Sequence, residues 1–231
     1  MSTSSLPAIL RDVVWHSLGE GHAALAQTAD GARRYQPAYA PFAALATYDD
    51  ASFDVLAGLM APGEEVVFFT VGDVEPTARF EVLMRKHIHQ MVGPATPLQA
   101  PAMLRSVPLG PDDVPAMRAL VEVTKPGPFR ELGHTLGNFI GIKVDGRLVA
   151  MAGERLHLHR FRELSAVCTS PEFRGQGHAR ELIQTLAAAI SARGQTPFLH
   201  VFTDNHSAIA LYRQLGFTPS HAFRVTVLRR V

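Results

Sequence analysis

The chain is short of several things, and each shortage excludes something. Among its 231 residues there is one cysteine, Cys168, which rules out an internal disulfide framework and fits a reducing compartment. There is one tryptophan, and no excess of either charge: 22 Lys plus Arg stand against 21 Asp plus Glu, a formal net charge of +1. With no bulk field, neither nucleic acid nor an anionic membrane surface is an expected partner. No apolar run approaches the roughly 20 residues of a membrane span. Met1 to Leu6 lack the basic segment and apolar core of a signal peptide, so the expectation is a soluble, cytoplasmic protein. No Gly-Lys-Ser/Thr occurs, which excludes a Walker phosphate loop.

What is present is a globular composition, 47% hydrophobic and 19% charged, long enough for two small domains around a sizeable core. The stretch that organises it is Arg174-Gly175-Gln176-Gly177-His178-Ala179. It lies between the apolar run Leu164 to Cys168, read as a strand, and a helical pattern from Ala179 to Arg193. In that pattern Ala179, Leu182, Ile183, Leu186, Ala187 and Ile190 form one stripe, and Gly194 stands at the C-cap position. A helix start presents unpaired N–H groups and the positive end of the dipole, and glycines let a phosphate approach them. A plain tight turn is the bland alternative. A Rossmann site fits poorly: Thr169 to Phe173 separates strand from glycines, Arg180 occupies the third small position, and Asp204 lies too late to be the ribose acid.

A second constellation follows the apolar strand Phe198 to Phe202. Asn205, Ala208, Tyr212 and Gly216-Phe217 outline a short amphipathic helix closed by glycine. Together, Arg174-x-x-Gly177-x-Ala179 and Asn205-x-x-Ala208-x-x-x-Tyr212-x-x-x-Gly216-Phe217 resemble the GNAT superfamily of acyl-CoA-dependent N-acyltransferases, over about residues 103 to 231. The whole chain, with an extra N-terminal segment, looks closest to the group containing glycine N-acyltransferase-like proteins. The resemblance implies an α+β fold: a mixed, mostly antiparallel central sheet flanked by helices, with a smaller N-terminal α/β domain. It also implies acetyl-CoA as the cofactor. Ala166, Val167 and Cys168 would hydrogen-bond the thioester and pantetheine. Arg174, Gly175, Gln176, Gly177, His178 and Ala179 would hold the pyrophosphate, and Asn205, Ala208 and Tyr212 would line the cofactor side. The strand at 164–168 would splay from that at 198–202.

Along the rest of the chain, the pattern predicts a helix over Pro7 to Leu18, a short helix near 21 to 27, and a helix over Phe53 to Met60 capped by Ser52. Glu65 to Val71 reads as a buried strand and Phe80-x-Val82-x-Met84 as another. Residues 1–93 are therefore expected to form an N-terminal α/β domain, which can also be read as a degenerate half-copy of the acyltransferase fold. Residues 94–102, with Pro94, Pro97 and Pro101, form a linker, and 103–231 the acyltransferase domain. Within the latter, a strand is expected over Met103 to Val107, a helix over Pro111 to Val123 and a second over Phe129 to Leu136. A hairpin about Asp145-Gly146 and a last strand from Phe223 to Leu228 complete it.

Acyl transfer to an amine needs a polarised thioester, a neutral amine and a stabilised thiolate. Fixed backbone N–H groups serve the first need. Tyr212 is the expected general acid, since a phenol with pKa near 10 stays protonated at neutral pH; a core aromatic is its bland alternative. For the base, Glu163 and then Glu154 are put forward. His200, an imidazole in an apolar strand, reads equally as a core histidine. His157-x-His159 and His87-x-His89 supply only pairs, so no metal is expected. Cys168 reads as a buried thiol rather than a nucleophile, and Arg33-Arg34 as a solvated pair. The function expected is N-acetyl or short N-acyl transfer from acetyl-CoA to a small amine, amino acid or peptide N-terminus. It would proceed by direct attack in a ternary complex, in a monomer or homodimer. The alternative is a non-catalytic acyl-CoA sensor.

Overall fold

The structure, a computed structural model, describes residues 8–231. Met1 to Leu6, and Pro7 at the start of the first expected helix, lie outside the described residues. After a 3-10 turn, Ala8–Arg11, the first helix α1 runs Val13–Gly19 and buries Val13, Val14 and Leu18. The helix expected near 21 to 27 is a single 3-10 turn, Ala23–Leu25. It leads into β1 (Ala26–Ala29), β2 (Ala32–Tyr35) and β3 (Ala43–Leu45), a three-stranded meander. Strands of three or four residues, rich in alanine, offer no sustained alternation to detect.

Helix α2 (Asp50–Gly58) is capped by Asp49, whose carboxylate accepts from the Ser52 amide at 2.9 Å. Ser52, the expected cap, lies inside the first turn as the amide donor. The strands β4 (Glu65–Thr70) and β5 (Phe80–Val92) follow, and the proline-rich 94–102 has neither helix nor strand. The strand expected from Met103 shrinks to β6 (Ser106–Pro108), with Met103 exposed. After a 3-10 turn at Pro111–Asp113, α3 covers Val114–Thr124. The second helix expected over Phe129 to Leu136 is only a 3-10 turn, Gly133–Thr135, since Gly133 interrupts that segment. The predicted hairpin forms from β7 (Phe139–Val144) and β8 (Arg147–His157). Next come β9 (Phe161–Thr169), α4 (His178–Ala192), β10 (Thr196–Phe202), α5 (His206–Gln214) and β11 (Thr218–Arg230).

The large sheet has the order β4-β11-β5-β10-β9-β8-β7-β6. Every neighbouring pair is antiparallel except β9 and β10, which makes this the mixed, mostly antiparallel sheet expected. One face carries α4 and α5, with Leu182, Leu186, Ile190, Ile209 and Tyr212 packed on Leu164, Leu199 and Val201. The opposite face carries the N-terminal segment, with Val14, Leu18 and Phe42 on Phe198 and Phe223, and also α3, with Met117 and Leu120 on Met151 and Cys168.

β5, which precedes the proline-rich segment, is hydrogen-bonded between β10 and β11, which come after it in the chain. β4 lies beyond β11. The segment at 94–102 thus connects two parts of one sheet, and no gap in strand pairing coincides with the boundary expected there. The arginine pair also differs from expectation: Arg33 stacks over Trp15, while Arg34 is buried against Glu64 at 2.8 Å. Among the described residues no helix is long and apolar enough to cross a membrane.

Candidate active site

The site begins where two parallel strands part. β9 and β10 pair from Phe161↔Thr196 to Leu164↔Leu199 and no further. Past that rung β9 stays with β8, but with a bulge: Gly153 faces Ser165 and Met151 faces Cys168, so Ala166 and Val167 share the single partner Ala152. Ala166 is held at φ +52°, a left-handed conformation costing about 1–2 kcal/mol in a residue with a Cβ. On its other side, β10 continues with β5 through Phe202. A wedge therefore opens between Ser165–Thr169 and His200–Phe202, and among the described residues the backbone of β9 on that side has no strand partner. Ala166, Val167 and Cys168, singled out from sequence, all lie on this splayed stretch. An alanine in a left-handed bulge leaves no mark in a sequence, so the bulge itself was not foreseen.

From Thr169 the chain makes a 3-10 turn, Pro171–Phe173, and enters the glycine loop. Gly175 and Gly177 have φ of 76° and 80°, and a Cβ on either would meet no atom within 4 Å. Free space over two left-handed glycines, at the start of a 15-residue helix, fits a diphosphate. Arg174 and Gln176 are exposed beside it, and Ala179 packs inward against the α4 core. His178 is 3% exposed, and among the described residues neither ring nitrogen has a hydrogen-bond partner. Burial, with Arg105 nearby, holds its imidazole below the usual range.

On α5, Asn205 is the N-cap: its side-chain oxygen accepts from the Ala208 amide at 3.2 Å. Tyr212 lies in the apolar cluster that includes Leu164 and Leu199, the last paired rung of β9 and β10. Burial pushes its phenol up to about 12.

The two carboxylates proposed as bases are both enclosed. Glu163 is fully buried and accepts from Arg155 Nε and Nη2 at 2.8 and 2.6 Å, from the Leu156 amide at 3.3 Å and from His200 Nδ1 at 2.7 Å. Burial pushes its carboxyl up, but Arg155 and His200 outweigh this and hold it down at about 2. Glu154, 1% exposed, accepts from Arg193 at 2.6 Å and from Asn138 at 3.2 Å, with Arg162 at 3.6 Å. Cys168 is packed under α3, and burial pushes its thiol up to about 11. Among the described residues no group of three or more His, Cys, Asp or Glu is arranged to hold a metal ion.

A splayed parallel pair, a bulge at its mouth and a glycine-opened helix directly downstream define a class of fold that comparison identifies. Residues 139–225 match the family model described as FR47-like protein. Over 91 residues, 38% of this chain, it is 37% identical to the N-alpha-acetyltransferase RimI of Mycobacterium tuberculosis, and it spans 56% of that protein's length. A crystal structure of a GNAT-family protein from Novosphingobium aromaticivorans superimposes with a TM-score of 0.90 at 36% identity, covering 97% of this chain and all of the other. A GCN5-related N-acetyltransferase from Kribbella flavida shares the fold at a TM-score of 0.59 and 14% identity, over 89% of this chain and 88% of its own. The chain belongs to the GNAT family.

Proposed function

We propose that this protein transfers an acetyl or short acyl group from acyl-CoA to a primary amine of a small molecule, an amino acid or a peptide N-terminus, within a ternary complex. The observation that carries the reading is continuity: the glycine loop begins a few residues beyond the splayed end of β9, so anion cradle and backbone wedge form one path. Bound acetyl-CoA would supply the acetyl group as an activated thioester. The amides from Gly175 to Ala179, with Arg174, hold a diphosphate at the positive end of α4. Those amides of the bulged stretch Ala166 to Cys168 that point away from β8 would serve in the wedge as preorganised donors. Tyr212 keeps its proton at neutral pH and can donate it to a departing sulfur.

Glu163 and Glu154 hold arginines rather than free protons, so this reading gives neither the task of deprotonating the amine. The incoming amine sheds its proton to water or arrives neutral. RimI is named for alpha-amino acetylation, which puts peptide N-termini first among acceptors to try. We place the protein in the cytoplasm, acting as monomer or homodimer without nucleic acid or membrane.

The test is release of free CoA from acetyl-CoA across a panel of peptides, amino acids and small amines. Turnover with at least one acceptor is expected. Tight CoA binding without turnover on any of them would favour an acyl-CoA sensor, a reading the enclosed carboxylates also allow. Failure to bind CoA at all would overturn both.

A further inference from the structure

One row of polar side chains crosses five adjacent strands on the face covered by the N-terminal segment. It runs Arg155 on β8, Glu163 on β9, His200 on β10, Gln90 on β5 and Ser220 on β11. The middle of the row is buried, with Gln90 and Glu163 at 0% exposure and the His200 side chain at 3%, while Arg155 and Ser220 at its ends are half-buried. Its hydrogen bonds also fix its proton positions. Gln90 Nε2 donates to the Leu10 carbonyl at 3.0 Å, while its oxygen accepts from Ser220 at 3.0 Å, so the amide has one orientation. That amide nitrogen faces His200 Nε2 at 3.3 Å, which must therefore accept, and the imidazole proton sits on Nδ1 and is donated to Glu163 at 2.7 Å. The rings of Phe69, Phe198 and Phe223 pack around His200 at centroid distances of 4.7, 5.7 and 5.8 Å. Enclosed on all sides, His200 has no route to an acceptor and is not a base.

Its place along the strands gives it a different task. The last rung shared by β9 and β10 is Leu164↔Leu199. Glu163 stands one residue before it and His200 one residue after, so their bond spans the point of parting. Ala166, strained and bulged, lies three residues beyond Glu163. A bond to a carboxylate in apolar surroundings is strong and directional. An apolar ring among three phenylalanines would fill the same space, and buried ion networks often add little stability over apolar replacements.

We propose that His200 is a positioning residue for acyl transfer: its Nδ1–H bond to Glu163 pins β9 to β10 where they separate, and so fixes the amides of the Ala166 bulge in the wedge. The functional part of this inference rests on the acyl-transfer reading; the clasp itself does not.

The test compares three variants by amide hydrogen exchange of residues 165–169 in the free protein, and by KM and kcat with acetyl-CoA. His200→Phe keeps the ring packing and leaves Glu163 paired with Arg155. It is expected to speed exchange in 165–169 and lower kcat/KM about tenfold or more, the scale of a small misplacement of catalytic groups. His200→Asn places an amide N–H where Nδ1 stood and restores both readouts; His200→Gln, which mimics only the Nε2 side, does not. Unchanged exchange in His200→Phe, or equal rescue by Asn and Gln, overturns the proposal, and the Asn–Gln comparison stands even if the Phe variant does not fold. If the wild type neither binds CoA nor turns over, the acyl-transfer reading fails, while exchange in the free protein still decides the clasp.

Discussion

Glu181, in the first turn of α4, accepts hydrogen bonds from the backbone amides of Arg105 and Ser106 at 2.6 and 2.9 Å, and from Arg105 Nε at 2.7 Å. One carboxylate thus ties the helix behind the glycine loop to the sheet-edge strand β6. Burial pushes its carboxyl up, but these donors outweigh it and hold it below the usual range. Glu181→Ala strands two backbone amides and is expected to destabilise the fold by about 1–3 kcal/mol. Denaturant unfolding checks this, and a midpoint unchanged from wild type would show that the tie is idle.

Gly177 is the N-cap of α4 at φ +80° with open space above it. Gly177→Glu forces a side chain into a left-handed position and adds a like charge to an anion cradle, so CoA binding is expected to be lost. Titration calorimetry reads it directly. An affinity equal to wild type would remove the loop from the cofactor site.

Tyr212→Phe keeps the packing against Phe217, whose ring centroid is 6.1 Å away, and deletes only the hydroxyl. Turnover is expected to fall roughly tenfold to a thousandfold while CoA affinity barely changes, as for loss of a general acid. Equal turnover would take Tyr212 out of that role and leave it a core aromatic.

Acid stability should fall in two stages. His22 hydrogen-bonds the Tyr35 hydroxyl and the Leu136 carbonyl, and burial, aided by His157, lowers it from 6.5 to about 4. Its unfolded form takes up a proton that the folded form refuses, so stability is lost as pH falls from about 6.5 to 4, by about 3 kcal/mol for this shift. Glu163, lowered from 4.5 to about 2, adds a second loss as pH falls through that lower window. Unfolding free energies measured from pH 7 to 3 check this. His22→Gln should flatten the first stage, and a wild type equally stable at pH 7 and 4.5 would contradict it.

The residues of the candidate site could be put forward from the sequence because their signals are local. Gly175, Gly177 and the stripe on α4 lie within one turn-and-helix stretch, marked by spacing, and Asn205 and Tyr212 within another, where the family resemblance singled them out. Glu163 and Glu154 were legible only as carboxylates near the right strand. That each is locked by arginines depends on Arg155 and Arg162, which face them only through the strand register, and on Arg193, which reaches Glu154 from the far end of α4.

By itself the sequence determined the elements with a period or a cap: the helices α3, α4 and α5, the Asp145-Gly146 hairpin and the glycine loop, each governed by interactions a few residues apart. Tertiary structure alone decided that β5 inserts between β10 and β11, that Ala166 takes a left-handed bulge, and that Glu163, His200 and Gln90 form one hydrogen-bonded row. Those arrangements come from pairing between strands far apart in the chain, as Ser220 and Gln90 are at 130 residues, and no local pattern encodes which strands will meet.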